Sequence, residues 1–386
     1  DLDVASGLAT FGAGTVGPDV EAALAPHGLT LGHSPQSWER STVGGWVATR
    51  SAGQQSMGFG RIEALFAGGR LVAPAGTLVM PPHPASAAGP DLRQLILGSE
   101  GRFGIVTETI LRTVPRPATE ALPAWFLPDW PRALAAARDI ARAGLPLSMA
   151  RLSTPVETET LLALGGRPGR VRALRTWLRM RGVGPAPSLL LVSASGPEKL
   201  VELAVREVGS IVRRHGGTGV GGSLGRQWSR TRFRTPDLRD SLWDAGYAVD
   251  TLETAADWSR IGDLTARVPA VLGSALEGDD ERVHVFSHLS HLYPSGSSVY
   301  VTYVFRLADD PDQTLDRWRR LKTAASEAIQ AGGGTISHQH GVGRDHAPYL
   351  EAEKGELGMA ILGDVARRFD PDRRLNPGAL LEEDGR

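Results

Sequence analysis

The sequence predicts an α+β fold made of two domains. The chain has 386 residues, 41% of them hydrophobic, so it can bury a substantial core, and chains of this length usually divide into two domains. Early in the chain, short strand-like runs alternate with glycine-rich turns, whereas later parts hold longer helix-like stretches. We find no internal repeat, so we expect two separate α+β domains.

The predicted elements follow in chain order. A first domain, residues 1–117, is expected to contain a short helix, Asp19–Ala25, and the strands Gly7–Phe11, Leu71–Ala75 and Gly104–Thr109. The proline-rich stretch Pro115–Pro131 marks the boundary. A second domain, residues 118–331, is expected to contain the helices Arg132–Ala143 and Pro197–Arg214 and the strand Ser298–Phe305. Residues 332–386 read as a tail with a Gly/His-rich loop, a helix Leu350–Phe369 and a turn Asn376–Gly378.

Composition and charge exclude several classes of function. With 42 basic and 43 acidic residues the net charge is -1, so no overall field attracts nucleic acid. The absence of cysteine excludes disulfides, thiolate metal sites and cysteine nucleophiles, so redox chemistry would need a bound cofactor. No apolar run reaches about 18 residues and no signal peptide is recognisable, so a cytoplasmic protein is expected. Because the chain opens at Asp1 without a methionine, we expect it to be a fragment.

Two glycine-rich segments fit the dinucleotide-binding pattern, Gly12–Gly17 and Gly217–Gly222. The first follows a predicted strand and precedes a helix. It lacks a βαβ unit that ends in an acidic ribose ligand, so a nucleotide site there is the weaker alternative to an ordinary turn.

Two other glycine clusters carry more polar groups. In the segment Pro35–Gly53, hydroxyl side chains surround the pair Gly44-Gly45, and glycine lets the backbone approach a ligand closely. The second cluster, Gly98–Glu108, joins a predicted helix to a strand. Taken singly, each is equally consistent with a surface turn.

Together these clusters resemble the second half of the FAD-binding domain of the vanillyl-alcohol oxidase type, within the FAD-linked oxidase superfamily. Asn376-Pro377-Gly378 resembles the closing segment of that family. The resemblance implies a two-domain flavoprotein with a PCMH-type FAD-binding domain, second half only, and an α+β cap or substrate domain with an antiparallel sheet. It implies FAD contacts at Gln36, Ser37, Trp38, Glu39, Arg40, Ser41, Thr42, Gly44, Gly45, Thr49, Arg50, Ser51, Ala52, Glu100, Gly101, Arg102, Phe103, Gly104, Ile105, Val106 and Asn376.

Within this superfamily three segments resemble the alkylglycerone-phosphate synthases: Gly32–Ser37, Ser298–Tyr303 and the histidine loop Ser337–Gly343. The resemblance implies an FAD-dependent enzyme of ether-lipid synthesis that exchanges the acyl group of acyl-dihydroxyacetone phosphate for a fatty alcohol. Its partners would then be a lipid phosphate and a fatty alcohol. A peripheral contact with a membrane and a homodimer are further hypotheses.

The same resemblance implies catalytic roles for Tyr300, His338, His340, Arg151 and Arg239. Strand alternation places Tyr300 on the face opposite Tyr303. A phenol normally titrates near pH 10, so positive charge from histidine or arginine is expected to lower its pKa. The guanidinium of Arg239 is expected to hold the substrate phosphate. Glu253 also matches, and two further histidines, His288 and His291, are expected to line the same cavity.

One position departs from the synthase pattern. Gln339 stands where the synthases have the middle histidine, and an amide cannot transfer a proton at neutral pH. The leading alternative is therefore oxidation of a hydroxyl substrate, and a second is a non-catalytic flavin or lipid-phosphate binding module. We expect no metal; a cation bound by His338, His340 and His346 is the rival interpretation. The arginine-rich run Arg167–Arg181 is either a membrane-surface segment or a solvated helix.

Overall fold

The structure is a computed structural model that describes residues 1–233 and 235–381, with the backbone alone at 235–238. It contains two compact units. Unit 1 is discontinuous and consists of residues 1–116 and 336–386, and unit 2 is the continuous segment 117–335.

In chain order the strands are β1 Leu2–Asp3, β2 Leu8–Gly12, β3 Leu29–Thr30, β4 Phe66–Ala73, β5 Gly76–Met80, β6 Ile105–Arg112, β7 Val114–Pro115, β8 Thr119–Ala121, β9 Ala124–Leu127, β10 Leu147–Ser153, β11 Ser188–Gly196, β12 Thr218–Gly221, β13 Tyr247–Asp257, β14 His284–Leu289 and β15 Gly296–Arg306. The helices are α1 Gly17–Leu24, α2 Val43–Thr49, α3 Ser56–Phe59, α4 Ile62–Leu65, α5 Arg93–Ile96, α6 Trp130–Arg142, α7 Pro155–Gly165, α8 Pro168–Met180, α9 Glu198–Arg214, α10 Ser223–Thr231, α11 Thr235–Asp244, α12 Trp258–Ser274, α13 Pro311–Ala331 and α14 Leu350–Phe369. Short 3₁₀ turns lie at Ala25–His27, Glu277–Asp279 and Ala347–Tyr349.

Unit 1 is built on a five-stranded sheet with the order β1-β2-β6-β4-β5, and each pair in it is antiparallel. Strands β3 and β7 form a separate antiparallel pair. Its core combines apolar residues of the sheet with those of α1, α2 and α4, among them Trp46, Ile62 and Phe66. A second cluster, around Ile336, Leu350 and Leu380, belongs to the C-terminal segment of the unit.

Unit 2 is built on an eight-stranded antiparallel sheet. Seven strands follow the order β12-β9-β11-β10-β14-β15-β13, and β8 also pairs with β11. One face of this sheet is covered by the amphipathic helices α6, α9, α12 and α13, whose apolar sides are buried. On the other face, α7, α8 and α10 cover the part formed by β9, β11, β10 and β14.

The alternation predicted for β15 is confirmed. Val299, Val301, Tyr303 and Phe305 are buried, whereas Tyr300 is half-buried on the opposite face. On the buried face, the carboxylate of Asp250 accepts hydrogen bonds from the Tyr303 hydroxyl at 2.9 Å and from the Trp318 indole of α13 at 2.7 Å. The β15 strand therefore separates a helix-covered face, where Asp250 binds the Tyr303 hydroxyl, from a face that presents Tyr300.

The predicted fold class is confirmed, and two local expectations need correction. The stretch Pro115–Pro131 is more than a boundary, because β8 and β9 lie inside it and β9 is fully buried. The segment Gly12–Gly17 ends an antiparallel strand, and its carbonyls at Ala13 and Thr15 accept hydrogen bonds from Gly44 and Val43. This geometry differs from the βαβ unit of a dinucleotide site. In the part of the chain that the structure describes, no helix is both long and apolar enough to cross a membrane.

Candidate functional site

A polar patch lies on the face of the unit 2 sheet that carries α7. Antiparallel pairing places His288 of β14 opposite both Ser153 of β10 and Tyr300 of β15, and Tyr300 opposite Glu253 of β13. Arg151, two residues before Ser153, lies on the same face because side chains alternate along a strand. The register of four strands therefore brings these groups together.

Glu157 of α7 completes this patch. Its Oε1 lies 2.9 Å from Nη2 of Arg151 and 2.8 Å from Nδ1 of His288. Glu157 and His288 are buried, whereas the Arg151 side chain is 23% exposed. One carboxylate oxygen thus holds a guanidinium and an imidazole at once.

The charges of this group follow from its burial. Burial alone raises the pKa of Glu157, but the attraction of His288 and Arg151, together with hydrogen bonds from His288 and Ser153, outweighs it and lowers the pKa to about 2. Burial, together with the charge of Arg151, lowers the pKa of His288. At neutral pH the carboxylate is therefore ionised and the imidazole neutral. Two groups lie near Nδ1 of His288: Oε1 of Glu157 at 2.8 Å and Nη2 of Arg151 at 3.2 Å. Because an ionised carboxylate only accepts hydrogen bonds and makes the shorter contact, the proton of His288 is assigned to Nδ1, and Nε2 keeps its lone pair.

The ring of Tyr300 stacks on this imidazole. The two ring centres lie 4.9 Å apart with an angle of 17° between the planes. Burial, with a further contribution from Glu253, raises the pKa of Tyr300 to about 12, although Thr251 and Arg151 act in the opposite direction. The expectation that positive charge lowers the pKa of Tyr300 is therefore wrong. Near neutral pH the phenol can donate a hydrogen bond but is a poor proton acceptor.

A second carboxylate borders the patch. Glu253 is buried, and its Oε1 accepts a hydrogen bond from the Ser290 hydroxyl at 2.6 Å. Ser290 is in turn 2.7 Å from the hydroxyl of Ser298. The ring of His291, also buried, lies 4.0 Å from Glu253. Among the residues that the structure describes, Arg239, which was predicted for this site, makes no contact with the patch; it is exposed on α11.

In unit 1 the predicted flavin segment forms a turn at 36–40 that leads into α2. The hydroxyl of Thr42 caps this helix by accepting from the Gly45 N–H at 3.3 Å. Gly44 packs directly against residue Ala13, where an added Cβ would lie 2.6 Å from the alanine Cβ. The Gly-Gly pair therefore has a packing role at its first position, and its second position is exposed.

The second glycine cluster holds the histidine loop in place. The carboxylate of Glu100 accepts hydrogen bonds from the backbone N–H groups of Val342 and Gly343, the latter at 2.7 Å. Burial raises the pKa of Glu100, although the hydrogen bonds from Val342 and Gly343 act in the opposite direction. The side-chain amide of Asn376 donates to the backbone carbonyl of Glu100 at 2.6 Å, and Arg102 donates to the carbonyl of Leu375 at 2.8 Å. Three predicted cofactor residues thus join distant parts of unit 1.

The two predicted catalytic histidines differ in their surroundings. His338 is buried, and Arg61 donates to its Nε2 at 2.8 Å and to its carbonyl at 2.9 Å. The lone pair of that nitrogen is therefore occupied by a guanidinium. His340 is exposed, and His346 is buried. Sequence reasoning missed Arg61, which lies 277 residues from His338 along the chain and follows no motif.

Several features of unit 1 fit a bound cofactor. Three buried side-chain atoms of neighbouring residues, His33 Nδ1, Ser34 Oγ and Gln54 Oε1, make no hydrogen bond within the described ranges 1–233 and 235–381. Buried polar groups normally have partners, so such atoms indicate a ligand with hydrogen-bonding groups. Burial lowers the pKa of His33 to about 3, and its Nε2 lies 2.8 Å from the buried Ser51 hydroxyl.

Backbone conformation supports the same interpretation. Arg50, Glu100 and Asn376, all predicted cofactor residues, adopt left-handed conformations with φ of 56°, 49° and 39°. Non-glycine residues of this kind concentrate at functional sites. The remaining predicted positions are exposed at Ser37, Glu39, Arg40 and Ile105, half-buried at Gln36, Trp38, Ser41, Thr49, Gly101 and Val106, and buried at Ala52, Phe103 and Gly104.

Glu157 was also missed, although the sequence carries a signal for it. Thr154-Pro155-Val156-Glu157 matches the capping-box pattern, and the Thr154 hydroxyl does accept from the Glu157 N–H. That pattern predicts that the glutamate points back to the helix start. In the structure its carboxylate points to Arg151 and His288 instead.

Comparison with known proteins identifies similar chains. An alkyldihydroxyacetonephosphate synthase of Dictyostelium discoideum is 28% identical over 375 residues, which is 95% of this chain and 61% of the relative. The uncharacterized FAD-linked oxidoreductase YgcU of Escherichia coli K12 is 27% identical over 98% of this chain and 76% of the relative. A solved structure of alkyldihydroxyacetonephosphate synthase superposes with a TM-score of 0.80 at 26% identity, covering 97% of this chain and 65% of that one.

This chain thus spans less than two thirds of the synthases that it matches. Two family models match it. Residues 1–80 match the FAD binding domain, and residues 116–380 match the model described as FAD linked oxidases, C-terminal domain. These matches, with the unsatisfied polar atoms of unit 1, identify FAD as the cofactor. Because the second match covers most of the chain, the protein belongs to the FAD-linked oxidases.

Proposed function

We propose that the protein is an FAD-dependent alkylglycerone-phosphate synthase, which exchanges the acyl group of acyl-dihydroxyacetone phosphate for a fatty alcohol. The observation that carries this proposal is the similarity to relatives named as such synthases over nearly the whole of this chain. The polar patch of unit 2 supports it, since it combines a guanidinium, a phenol and an imidazole on one sheet face.

Each group of the patch has a chemical role in such an exchange. Arg151 supplies a planar cation for an anionic substrate. Of the nitrogen atoms of its guanidinium, it is Nη2 that donates to Glu157. Tyr300 supplies a hydrogen-bond donor whose proton stays in place at neutral pH. Arg239, exposed on α11, is a second candidate for the phosphate. FAD, when bound, supplies the reactive ring on which the exchange depends.

In unit 1 the cofactor would be held by the unsatisfied atoms at His33, Ser34 and Gln54 and by the backbone around Gly45 and Gly101. Glu100 would keep the histidine loop in register with these segments. The Nε2 atom of His338 is bound by Arg61. His338 would therefore have a positioning role and would not accept a proton at this nitrogen. The exposed His340 remains our candidate for proton transfer in this loop.

A second candidate function is oxidation of a hydroxyl substrate. Gln339 occupies the middle position of the histidine loop, and one similar protein is named an FAD-linked oxidoreductase. The same patch would serve this reaction, because an alcohol must lose its hydroxyl proton when it is oxidised.

We also propose that the substrate is drawn from a membrane surface through α8. Arg170, Arg172, Arg175 and Arg179 on this helix are exposed, whereas Leu178 is buried in the unit 2 core. The apolar side of α8 is therefore used inside the protein, and the contact would be electrostatic. Binding to vesicles with anionic lipid should fall as salt rises, and salt-independent binding would contradict this view. A homodimer stays a prediction.

An anaerobic assay of the FAD-loaded full-length protein tests the main proposal. Acyl-dihydroxyacetone phosphate is added first and a fatty alcohol second, while fatty acid, alkyl product and flavin absorbance are followed. Fatty acid release and ether formation without net flavin reduction are expected. Flavin bleaching by a hydroxyl substrate, with no ether formed, would replace the synthase by the oxidoreductase.

A further inference from the structure

His288 has the arrangement of a proton acceptor, and no resemblance pointed to this role. Its Nδ1 faces the buried carboxylate of Glu157 at 2.8 Å, and its ring stacks on Tyr300. Nη2 of Arg151 also lies 3.2 Å from Nδ1, and in residues 1–233 and 235–381 the hydrogen bonds of the His288 ring are at Nδ1 and none is at Nε2. A carboxylate behind one ring nitrogen fixes the tautomer and leaves the other nitrogen as the base.

We propose that Glu157 holds His288 in the Nδ1–H tautomer, and that Nε2 of His288 accepts the proton of the hydroxyl group of the substrate. This inference rests on the proposed function for the identity of that hydroxyl, the fatty alcohol. In the step, the O–H bond breaks, an Nε2–H bond forms, and the oxygen keeps the electron pair. The resulting imidazolium is stabilised by Glu157, and Glu157 is a positioning residue.

The surroundings of His288 favour this histidine over the phenol of Tyr300 as the proton acceptor. Four charged or titratable groups face it: Arg151 from β10, Glu157 from α7, Tyr300 from β15 and Glu253 from β13. Burial and Arg151 lower the pKa of His288, so it is unprotonated and ready to accept at neutral pH. The phenol of Tyr300 keeps its proton, because burial raises its pKa to about 12, and it is therefore a poor proton acceptor at neutral pH.

The first test is spectroscopic and does not depend on turnover. In FAD-loaded full-length protein with ¹⁵N-labelled histidine, the His288 signals are identified by their loss in His288→Gln. We expect Nδ1 protonated and Nε2 unprotonated at pH 7, and a mixture of tautomers in Glu157→Gln. Glu159→Gln, at a half-buried position of the same helix where the carboxylate pairs with Arg175 and not with His288, should leave the wild-type pattern. A protonated Nε2 in the wild type would overturn the proposal.

The second test is kinetic. His288→Gln should lower kcat by about 10²- to 10⁴-fold with little change in KM for the alcohol, since only proton transfer is lost. The limb along which kcat rises with pH should lie below pH 6.5 and disappear in this variant. Glu157→Gln should lower kcat less and move that limb, while Glu157→Asp restores part of the rate. Full turnover by His288→Gln would also overturn the proposal.

Failure of the synthase assignment has a different signature. A wild-type protein that forms no ether but shows the Nδ1–H tautomer contradicts the proposed substrate and not the state of His288. If that protein oxidises a hydroxyl substrate, the same variants should slow that oxidation by the same factor.

Discussion

Tyr300 and Tyr303 lie on one strand and face opposite sides of the sheet. The Tyr300 ring stacks on His288, whereas the Tyr303 hydroxyl donates to the buried Asp250. We expect Tyr300→Phe to lower kcat by about 10²- to 10³-fold, as for loss of a donor in an active site, with stability nearly unchanged. Tyr303→Phe should retain kcat and lose about 1.5–3 kcal/mol of unfolding free energy. Urea unfolding and steady-state kinetics of both variants check this; equal losses of activity would contradict the assignment of faces.

His33 gives the stability of unit 1 a pH dependence. Its folded pKa of about 3 lies below the ordinary histidine value of 6.5, so between these pH values the unfolded chain binds a proton that the folded chain does not. This contribution is complete above pH 6.5 and is lost as pH falls towards 3. The variant His33→Gln can keep the hydrogen bond to Ser51 but does not titrate. When the pH falls from 6.5 to 5, we expect the unfolding free energy of this variant to fall by about 2 kcal/mol less than that of the wild type. Urea unfolding at both pH values is the measurement, and the exposed His27→Gln is the control.

Residue roles were predictable where a local pattern determined them. The alternation around Tyr300 followed from the period of a strand. Glu157, Arg61 and the pairing of Glu100 with the histidine loop were not predictable, because each contact joins segments that only the tertiary fold brings together. The direction of the Tyr300 pKa was wrong for the same reason: burial outweighed the nearby arginine.

The helix α2 depends on a close approach at its first turn. A Cβ on Gly44 would lie 2.6 Å from the Ala13 Cβ and 3.0 Å from the Ala13 carbonyl oxygen, whereas a Cβ on Gly45 would meet only the Thr42 hydroxyl at 3.3 Å. We expect Gly44→Ala to destabilise unit 1 by about 1–3 kcal/mol. Gly45→Ala should be close to neutral, because alanine favours helix and the contact is mild. Thermal unfolding of the pair checks this, and equal effects would argue against the packing role.

Glu100 anchors the histidine loop as one element. In Glu100→Gln the amide nitrogen cannot accept, so one of the two bonds from Val342 and Gly343 is lost. We expect faster hydrogen exchange at these two amides, by roughly tenfold per 1.4 kcal/mol of lost stabilisation, with little change elsewhere. The exposed Glu356→Gln on α14 is the matched control. Unchanged exchange at Gly343 would show that other contacts hold the loop.

Long helices and the alternating strand were well predicted as elements. The helix expected at Pro197–Arg214 is α9 Glu198–Arg214, and Leu350–Phe369 is α14, although Gly355 interrupts it with φ of 71°. Strands β8 and β9 were missed, because they have three and four residues and lie among prolines, which normally signal a loop. A fully buried strand that short has no alternation to detect.

At the scale of the molecule the two units differ in continuity. Unit 2 is one segment with a complete sheet, whereas residues 1–116 receive contacts from residues 336–386, including those of Asn376 and Val342 with Glu100. We expect the fragment 117–335 to fold alone with a cooperative transition. The fragment 1–116 should be unstable until residues 336–386 are supplied. Circular dichroism and urea unfolding of the two fragments check this, and a stable 1–116 fragment would contradict it.

This discontinuity has a consequence for biosynthesis. During synthesis, residues 1–116 leave the ribosome before the segment 117–335, and their unit is complete only when residues 336–386 have emerged. At about 5–20 residues per second, the intervening segment takes roughly 10 to 45 s to synthesise. During that time unit 2 can fold, while in the N-terminal segment Phe103 lacks its ring contact with Phe369, and Glu100 and Arg102 lack their hydrogen-bond partners in residues 336–386. The N-terminal segment is therefore where a nascent chain of this protein most needs a chaperone.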